Sequence, residues 1–177
     1  MTNLYLLRHA NAGQRRSNPE LDQKRPLDKE GKAQCLLIGG VLNALKVQFD
    51  CVVSSPLKRA LQTASLVGTE TGYEQKIVVS AALSPSGTWR DFQALLDGFS
   101  GYEDVLLVGH NPNLTHHLTA LLCASATAEP IRLRKGTLVK IDMNRVSGRL
   151  QWLFDPKLAR AIQSSSVTRS RPKTSRK

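Results

Sequence analysis

Aromatic side chains are scarce, 5% of the 177 residues, and none is interleaved with the cationic run at the C-terminal end, so the stacking platform that single-stranded nucleic acid needs is missing. Cysteine is sparser still: Cys35, Cys51 and Cys123 lie far apart with no CxxC pair, an odd number that fits neither a disulfide framework nor a zinc site. Cys51 opens an apolar strand and Cys123 follows Leu121-Leu122, which reads them as reduced core thiols. No apolar run approaches the roughly 20 residues of a membrane helix, and Met1-Thr2-Asn3 has neither the basic start nor the apolar stretch of a secretion signal. The expectation is a soluble, cytoplasmic protein. GxGxxG and GxxxxGKS/T are absent, excluding a dinucleotide fingerprint and a P-loop, and there is no internal repeat.

Acidic residues are also in short supply, 14 Asp and Glu against 25 Lys and Arg, leaving a formal net charge of +11. That excess implies anionic partners: phosphate groups, acidic protein surfaces or nucleic acid. Much of it is concentrated near the end, where Val167 to Lys177 holds five basic residues and no acid. Such a run cannot bury enough apolar surface to offset its ordering entropy. The chain is therefore divided into one domain over 1–163 and a basic, disordered tail over 164–177, a length suited to a single well-buried core.

What the sequence does contain is a set of apolar strands that end abruptly in chemistry. Leu4-Tyr5-Leu6-Leu7 runs into Arg8-His9, Cys51-Val52-Val53 into Ser54-Ser55-Pro56-Leu57-Lys58-Arg59, and Val105-Leu106-Leu107-Val108 into Gly109-His110-Asn111-Pro112. A parallel strand covered on both faces is a continuous apolar run, and open α/β sheets bind ligands beyond the carboxyl ends of their strands. Three such ends place Arg8, His9, Arg59 and His110 together.

The intervening segments read as helices. Pro26-Leu27-Asp28 starts one, with Asp28 as N-cap and Ala33, Leu36, Leu37, Val41, Ala44 and Leu45 on its apolar face. Pro56 sits near the first position of the next, with Leu57, Ala60, Leu61 and Ala64 inward and Arg59 in the first turn, where the helix start already favours an anion. Ile77-Val78-Val79 is a short strand. Trp89, Phe92, Leu95, Leu96 and Phe99 mark an amphipathic helix, and Asn111-Pro112 begins another that turns Leu114, Leu118, Leu121 and Leu122 inward. Thr137 to Asp142 and Arg149 to Phe154 form an antiparallel hairpin, and Pro156 to Gln163 a last short helix. The polar stretch Asn11 to Arg25 has almost nothing to pack and reads as a long basic loop, a lid or docking segment if not simply solvated. Alternating strands and helices give an α/β fold: three layers, α/β/α, around a mostly parallel sheet finished by the hairpin.

Phosphoryl transfer needs positive charge around the equatorial oxygens and an in-line nucleophile. Arg8, Arg59 and His110 supply the charge, and neutral His9 supplies the nucleophile. The two guanidinium groups disfavour a further charge and so help keep His9 neutral. No metal or other cofactor is called for. Adjacent helical residues point about 100 degrees apart, so His116 and His117 are poor co-ligands; one is expected to pack and the other to be solvated.

Leu7-Arg8-His9-Ala10, Ser55-Pro56-Leu57-Lys58-Arg59-Ala60-Leu61-Gln62-Thr63-Ala64 and Gly109-His110-Asn111-Pro112 together resemble the signatures of the histidine phosphatase superfamily, over about residues 3 to 163. Length and Arg25-Pro26-Leu27 make the chain most similar to the SixA-type phosphohistidine phosphatases. The resemblance implies a phosphoglycerate-mutase-like fold, His9 as the phosphorylated nucleophile, and Arg8, Arg59 and His110 as the phosphate pocket, with Ser55 and Asn111 as substrate-binding neighbours. It implies phosphate and a phosphorylated protein, such as a histidine phosphotransfer domain, as partners.

Two departures matter. Ala10 replaces the usual glycine, which would strain the chain if φ had to be positive there. Mutase-like relatives also place a glutamate soon after the third strand to protonate an alcohol, whereas Leu83-Ser84-Pro85-Ser86-Gly87 offers none, and Asp91 falls where the helix dipole favours a structural carboxylate. An alkoxide needs a general acid, while imidazole, with a reference pKa of about 6.5, departs without a strong one. The expectation is a metal-independent hydrolase of protein phosphohistidine. Its alternatives are a phosphatase of a small phosphate ester or phosphoramidate, and a basic anion- or nucleic-acid-binding module, the last disfavoured by the missing aromatics.

Overall fold

The computed structural model describes residues 2–123, 131–144 and 147–169. Four strands, β1 (Thr2–Arg8), β2 (Cys51–Ser54), β3 (Val78–Val79) and β4 (Asp104–Gly109), pair in parallel, and β5 (Leu138–Met143) and β6 (Gly148–Phe154) complete the sheet in the order β3-β2-β4-β1-β5-β6. β5 runs antiparallel to both β1 and β6, closing the parallel sheet with the expected hairpin.

Side-chain alternation along β1 builds the three layers. Tyr5 and Leu7 face one side with Val52, Leu106 and Val108, where they meet Cys35, Ile38 and Leu42 of α2 (Lys29–Ala44) and Ala60, Ala64 and Val67 of α3 (Lys58–Glu70). Leu4 and Leu6 face the other side with Val53, Val105 and Leu107, against Phe92 of α4 (Trp89–Asp97) and Leu114, Leu118 and Leu121 of α5 (Asn113–Leu122). Both faces are covered, which is why the central strands read as unbroken apolar runs.

The helix starts follow local chemistry. Asp28 caps α2 by accepting the Gly31 N–H at 2.7 Å. Thr88 and Asp91 form a reciprocal capping box on α4, so the Asp91 carboxylate is engaged by its own helix start. His117 is buried and stacked on Phe92 with ring centroids 4.3 Å apart, whereas His116 is exposed, the split expected for adjacent helical residues.

Several expectations are corrected. The buried face of α2 is Gly31, Gln34, Cys35, Ile38, Gly39 and Leu42, while Leu36 and Leu45 are 52% and 54% exposed. Close approach decides this: a Cβ on Gly31 would lie 1.9 Å from the Asn11 carbonyl oxygen, and one on Gly39 would lie 2.3 Å from Glu70 Cβ. The glycines let the helix approach its neighbours closely while Ile38 and Leu42 fill the core, and Leu36 and Leu45 are left outside. Pro56 is exposed and precedes α3 by two positions, with Leu57 as N-cap; Leu57 and Leu61 are half-buried, and Thr63 and Val67 fill the inward stripe.

The stretch 11–25 is not structureless. It contains a further helix, α1 (Pro19–Gln23), whose start is capped by the Asn18 side chain. The terminal helix α6 (Pro156–Arg169) runs six residues beyond its expected end, so its backbone takes in the first part of the segment assigned to a tail; residues 170–177 lie outside those described. No helix among the described residues is long and apolar enough to cross a membrane.

Candidate functional site

The carboxyl ends of β1, β4 and β2 are tied edge to edge. The His9 N–H donates to the Gly109 carbonyl at 3.0 Å and the Ser55 N–H to the Val108 carbonyl at 3.0 Å, carrying the pairing one residue past each strand. His9 and His110 are thereby brought face to tilted face, with ring centroids 4.8 Å apart. Arg59, at the second position of α3, and Ser55 complete the cluster. His9, Ser55, Arg59 and His110 are all buried, and Arg8 is half-buried beside them.

Hydrogen bonds fix the orientation of each ring. His9 Nδ1–H donates to the Ala10 carbonyl at 2.8 Å, which leaves Nε2 with its lone pair. Ser55 Oγ lies 2.8 Å from His110 Nε2 and already accepts the Leu57 N–H at 3.3 Å. With the hydroxyl donating to Nε2, the ring proton of neutral His110 sits on Nδ1, a buried atom with no partner. Arg8 Nη1 donates to the Leu133 carbonyl at 2.7 Å, while its Nε and that of Arg59 are buried without partners. Buried donors left unmatched are costly unless something accepts from them, and here three belong to the same cluster.

Burial, then the neighbouring His110, holds His9 well below the ordinary histidine range; Arg59 and Arg8 add to this and the bond to Ala10 opposes it. Burial, then Arg59 and Arg8, pushes His110 down to about 3. Neutral imidazoles therefore sit beside permanent guanidinium charges. The arginines contribute as expected, but removal from water is the larger cause. Ala10 stays in the negative-φ region, since Lys46 is the sole non-glycine residue with positive φ among those described. Its N–H donates to Thr63 Oγ1 at 3.1 Å, and Thr63 donates onward to the Arg59 carbonyl at 2.7 Å, linking the His9 loop to the helix that carries Arg59.

Two features escaped sequence reading. Asp22, on α1, lies against the cluster: its carbonyl and Oδ2 accept from Arg59 Nη1 at 2.9 and 3.3 Å, while Oδ1 accepts from Arg25 Nε at 2.8 Å and the Arg16 N–H at 2.9 Å. These donors hold its carboxyl below the usual range, although burial opposes them. Arg25 is itself buried, with Nη1 donating to the Ala12 carbonyl at 2.6 Å. The signal was present: Asn18-Pro19-Glu20 is a helix start, and Asp22 and Arg25 are spaced i, i+3.

The second feature is the segment 131–137. The Leu133 carbonyl accepts from both Arg8 and Asn111 Nδ2, the latter at 3.1 Å, and the Gly136 N–H donates to the carbonyls of Arg8 at 3.0 Å and His9 at 3.2 Å. Main-chain acceptors leave no trace in a residue pattern. Asn111 thus engages this wall by its amide, and Ser55 engages His110. No group of three or more His, Cys, Asp or Glu among the described residues could hold a metal ion.

The family model of the histidine phosphatase superfamily (branch 1) matches residues 4–86. An uncharacterised protein of Picosynechococcus sp. is 32% identical over 139 residues, covering 77% of this chain and 82% of that one. Phosphohistidine phosphatase SixA of Escherichia coli is 29% identical over 164 residues, 90% of this chain and 99% of that one. The structure of the protein histidine phosphatase SixA complexed with tungstate superposes with a TM-score of 0.80 at 23% identity, over 89% of this chain and 99% of that one, and so shares the fold. Sequence and architecture together place the chain in the histidine phosphatase superfamily.

Proposed function

We propose that the protein is a phosphatase that hydrolyses protein phosphohistidine through a phosphorylated His9 intermediate. The observation that carries this reading is the oriented His9 ring, whose Nδ1–H is spent on Ala10 so that Nε2 is a lone pair among unmatched cationic and N–H donors. Arg8, Arg59 and His110 Nδ1–H hold the three equatorial oxygens, and Ser55 keeps His110 in the donating tautomer. His9 Nε2 forms the new P–N bond as the substrate's P–N bond breaks, and the leaving imidazole takes its proton from solvent. Water then attacks the phosphorus of phospho-His9, orthophosphate departs and His9 Nε2 regains its lone pair.

Support for a nitrogen leaving group comes from the carboxylates. Asp91 is engaged in its capping box, and Asp22 is held ionised by Arg25 and Arg59, so neither is a protonated acid suited to an alkoxide. Likeness to SixA supports the same substrate class.

The test pairs a phosphohistidine peptide with a phosphoserine peptide in EDTA, with rapid quench after radiolabelled substrate. Turnover of the phosphohistidine peptide is expected, with an alkali-stable, acid-labile label on His9 that His9→Ala abolishes. Preference for the serine ester, or chelator-sensitive turnover, overturns the reading.

A further inference from the structure

Beside the histidine cluster, and sharing Arg8 with it, lies a groove of about 660 Å³ between the 131–137 segment, the start of α2 and the start of α6. Six cationic side chains line it, Arg8, Arg132, Arg134, Lys135, Lys157 and Arg160, against two carboxylates, Glu30 and Asp155. The carboxylates are engaged: Glu30 lies 3.1 Å from Arg160 and Asp155 3.7 Å from Arg134. Lys135 Nζ is anchored on Asn11 Oδ1 at 2.8 Å. Arg132 and Lys157 are exposed, and Arg132 stands close enough to Arg8 for the two charges to repel.

We infer that this groove docks a carboxylate-rich surface of the phosphoprotein substrate, extending recognition from the phosphoryl group to its carrier; the inference rests on the phosphatase reading above. The groove begins at Arg8, so a chain whose phosphoryl group sits on Arg8 and Arg59 continues directly into it. The excess of cation over carboxylate asks for an anionic occupant. Discrete acids of a protein can meet Arg132 and Lys157 while avoiding Glu30 and Asp155, whereas the unbroken phosphates of a nucleic acid pass over both carboxylates. No aromatic side chain lines the groove to stack a base.

Three substrates separate chemistry from docking: free phosphohistidine, a phosphohistidine peptide flanked by glutamates, and the same peptide flanked by serines. Wild type is expected to show a KM about tenfold lower for the glutamate peptide, an advantage removed by raised salt. In the variant Lys157→Glu that advantage disappears, while kcat/KM for free phosphohistidine stays within about threefold because Lys157 is not among the charges acting on Arg8, His9 or His110. Equal turnover of both peptides by wild type, an advantage retained by the variant, or an equal loss on free phosphohistidine overturns the proposal. Failure of wild type on all three substrates defeats the phosphatase reading instead. Docking is then decided by fluorescence anisotropy of the unphosphorylated glutamate peptide, which wild type must bind and the variant must not. Tighter binding of a mixed-sequence RNA than of that peptide, lost in the variant, makes the groove a nucleic-acid site and also overturns the proposal.

Discussion

His9 and His110 carry little proton affinity of their own, and this has direct consequences. Both rings lose basicity through burial first and neighbouring charge second, so neither should titrate near the 6.5 of an ordinary histidine. By NMR the His110 imidazole is expected to hold the neutral position from pH 8 to about pH 5 and His9 to titrate below the ordinary histidine range, while a midpoint near 6.5 in either ring contradicts the assigned environment. Arg59→Ala removes a positive charge and must move His110 upward. Ser55→Ala removes the hydroxyl that His110 Nε2 and the Leu57 N–H share; a fall of about tenfold in kcat/KM is expected together with a loss of about 1–2 kcal/mol of stability, because the hydroxyl is buried.

The elements show where sequence reading succeeds and where it stops. The strands and their carboxyl ends were legible because a doubly covered strand must be apolar at every position, and a polar residue after it marks the edge of the sheet. The apolar face of α2 was misread for the opposite reason: beside Ile38 and Leu42 it is built from Gly31, Cys35 and Gly39, whose smallness and not their hydrophobicity admits them to the interface. Gly31→Ala tests this, since the added methyl meets the Asn11 carbonyl just behind the His9 loop. A loss of about 2–3 kcal/mol is expected, read as a fall of roughly 4–12 °C in thermal midpoint. Thr63→Val, which removes the hydroxyl shared by Ala10 and Arg59, is expected to cost about 1–2 kcal/mol. The α1 helix was missed although its Asn-Pro start was visible, because a helix of five residues buries none of them and leaves no periodic signal.

At the scale of the whole molecule, three neutral buried histidines make the fold sensitive to acid. His9, His110 and His117 all have lowered proton affinity, His117 down to about 4 through burial and then His116. In the unfolded chain each binds a proton near 6.5, so below that value unfolding takes up protons; the stability they contribute is complete above about pH 6.5 and lost as pH falls toward their folded values. The thermal midpoint should decline between pH 6.5 and 4, and His117→Phe, which keeps the ring on Phe92 without a titrating nitrogen, should make that decline shallower. An unchanged profile in the variant would remove His117 from the account.

Asp22 gives the molecule a tethered competitor for its own ligand. Asp22 occupies only Nη1 of Arg59 and leaves its Nε unmatched, so a phosphoryl group bound there shares the guanidinium with a fixed negative charge. Like charge at that distance weakens the hold on orthophosphate. Asp22→Asn keeps the shape and drops the charge; orthophosphate should then inhibit at about tenfold lower concentration. Weaker inhibition in that variant would mean that Asp22 serves Arg59 as a brace and not as a rival.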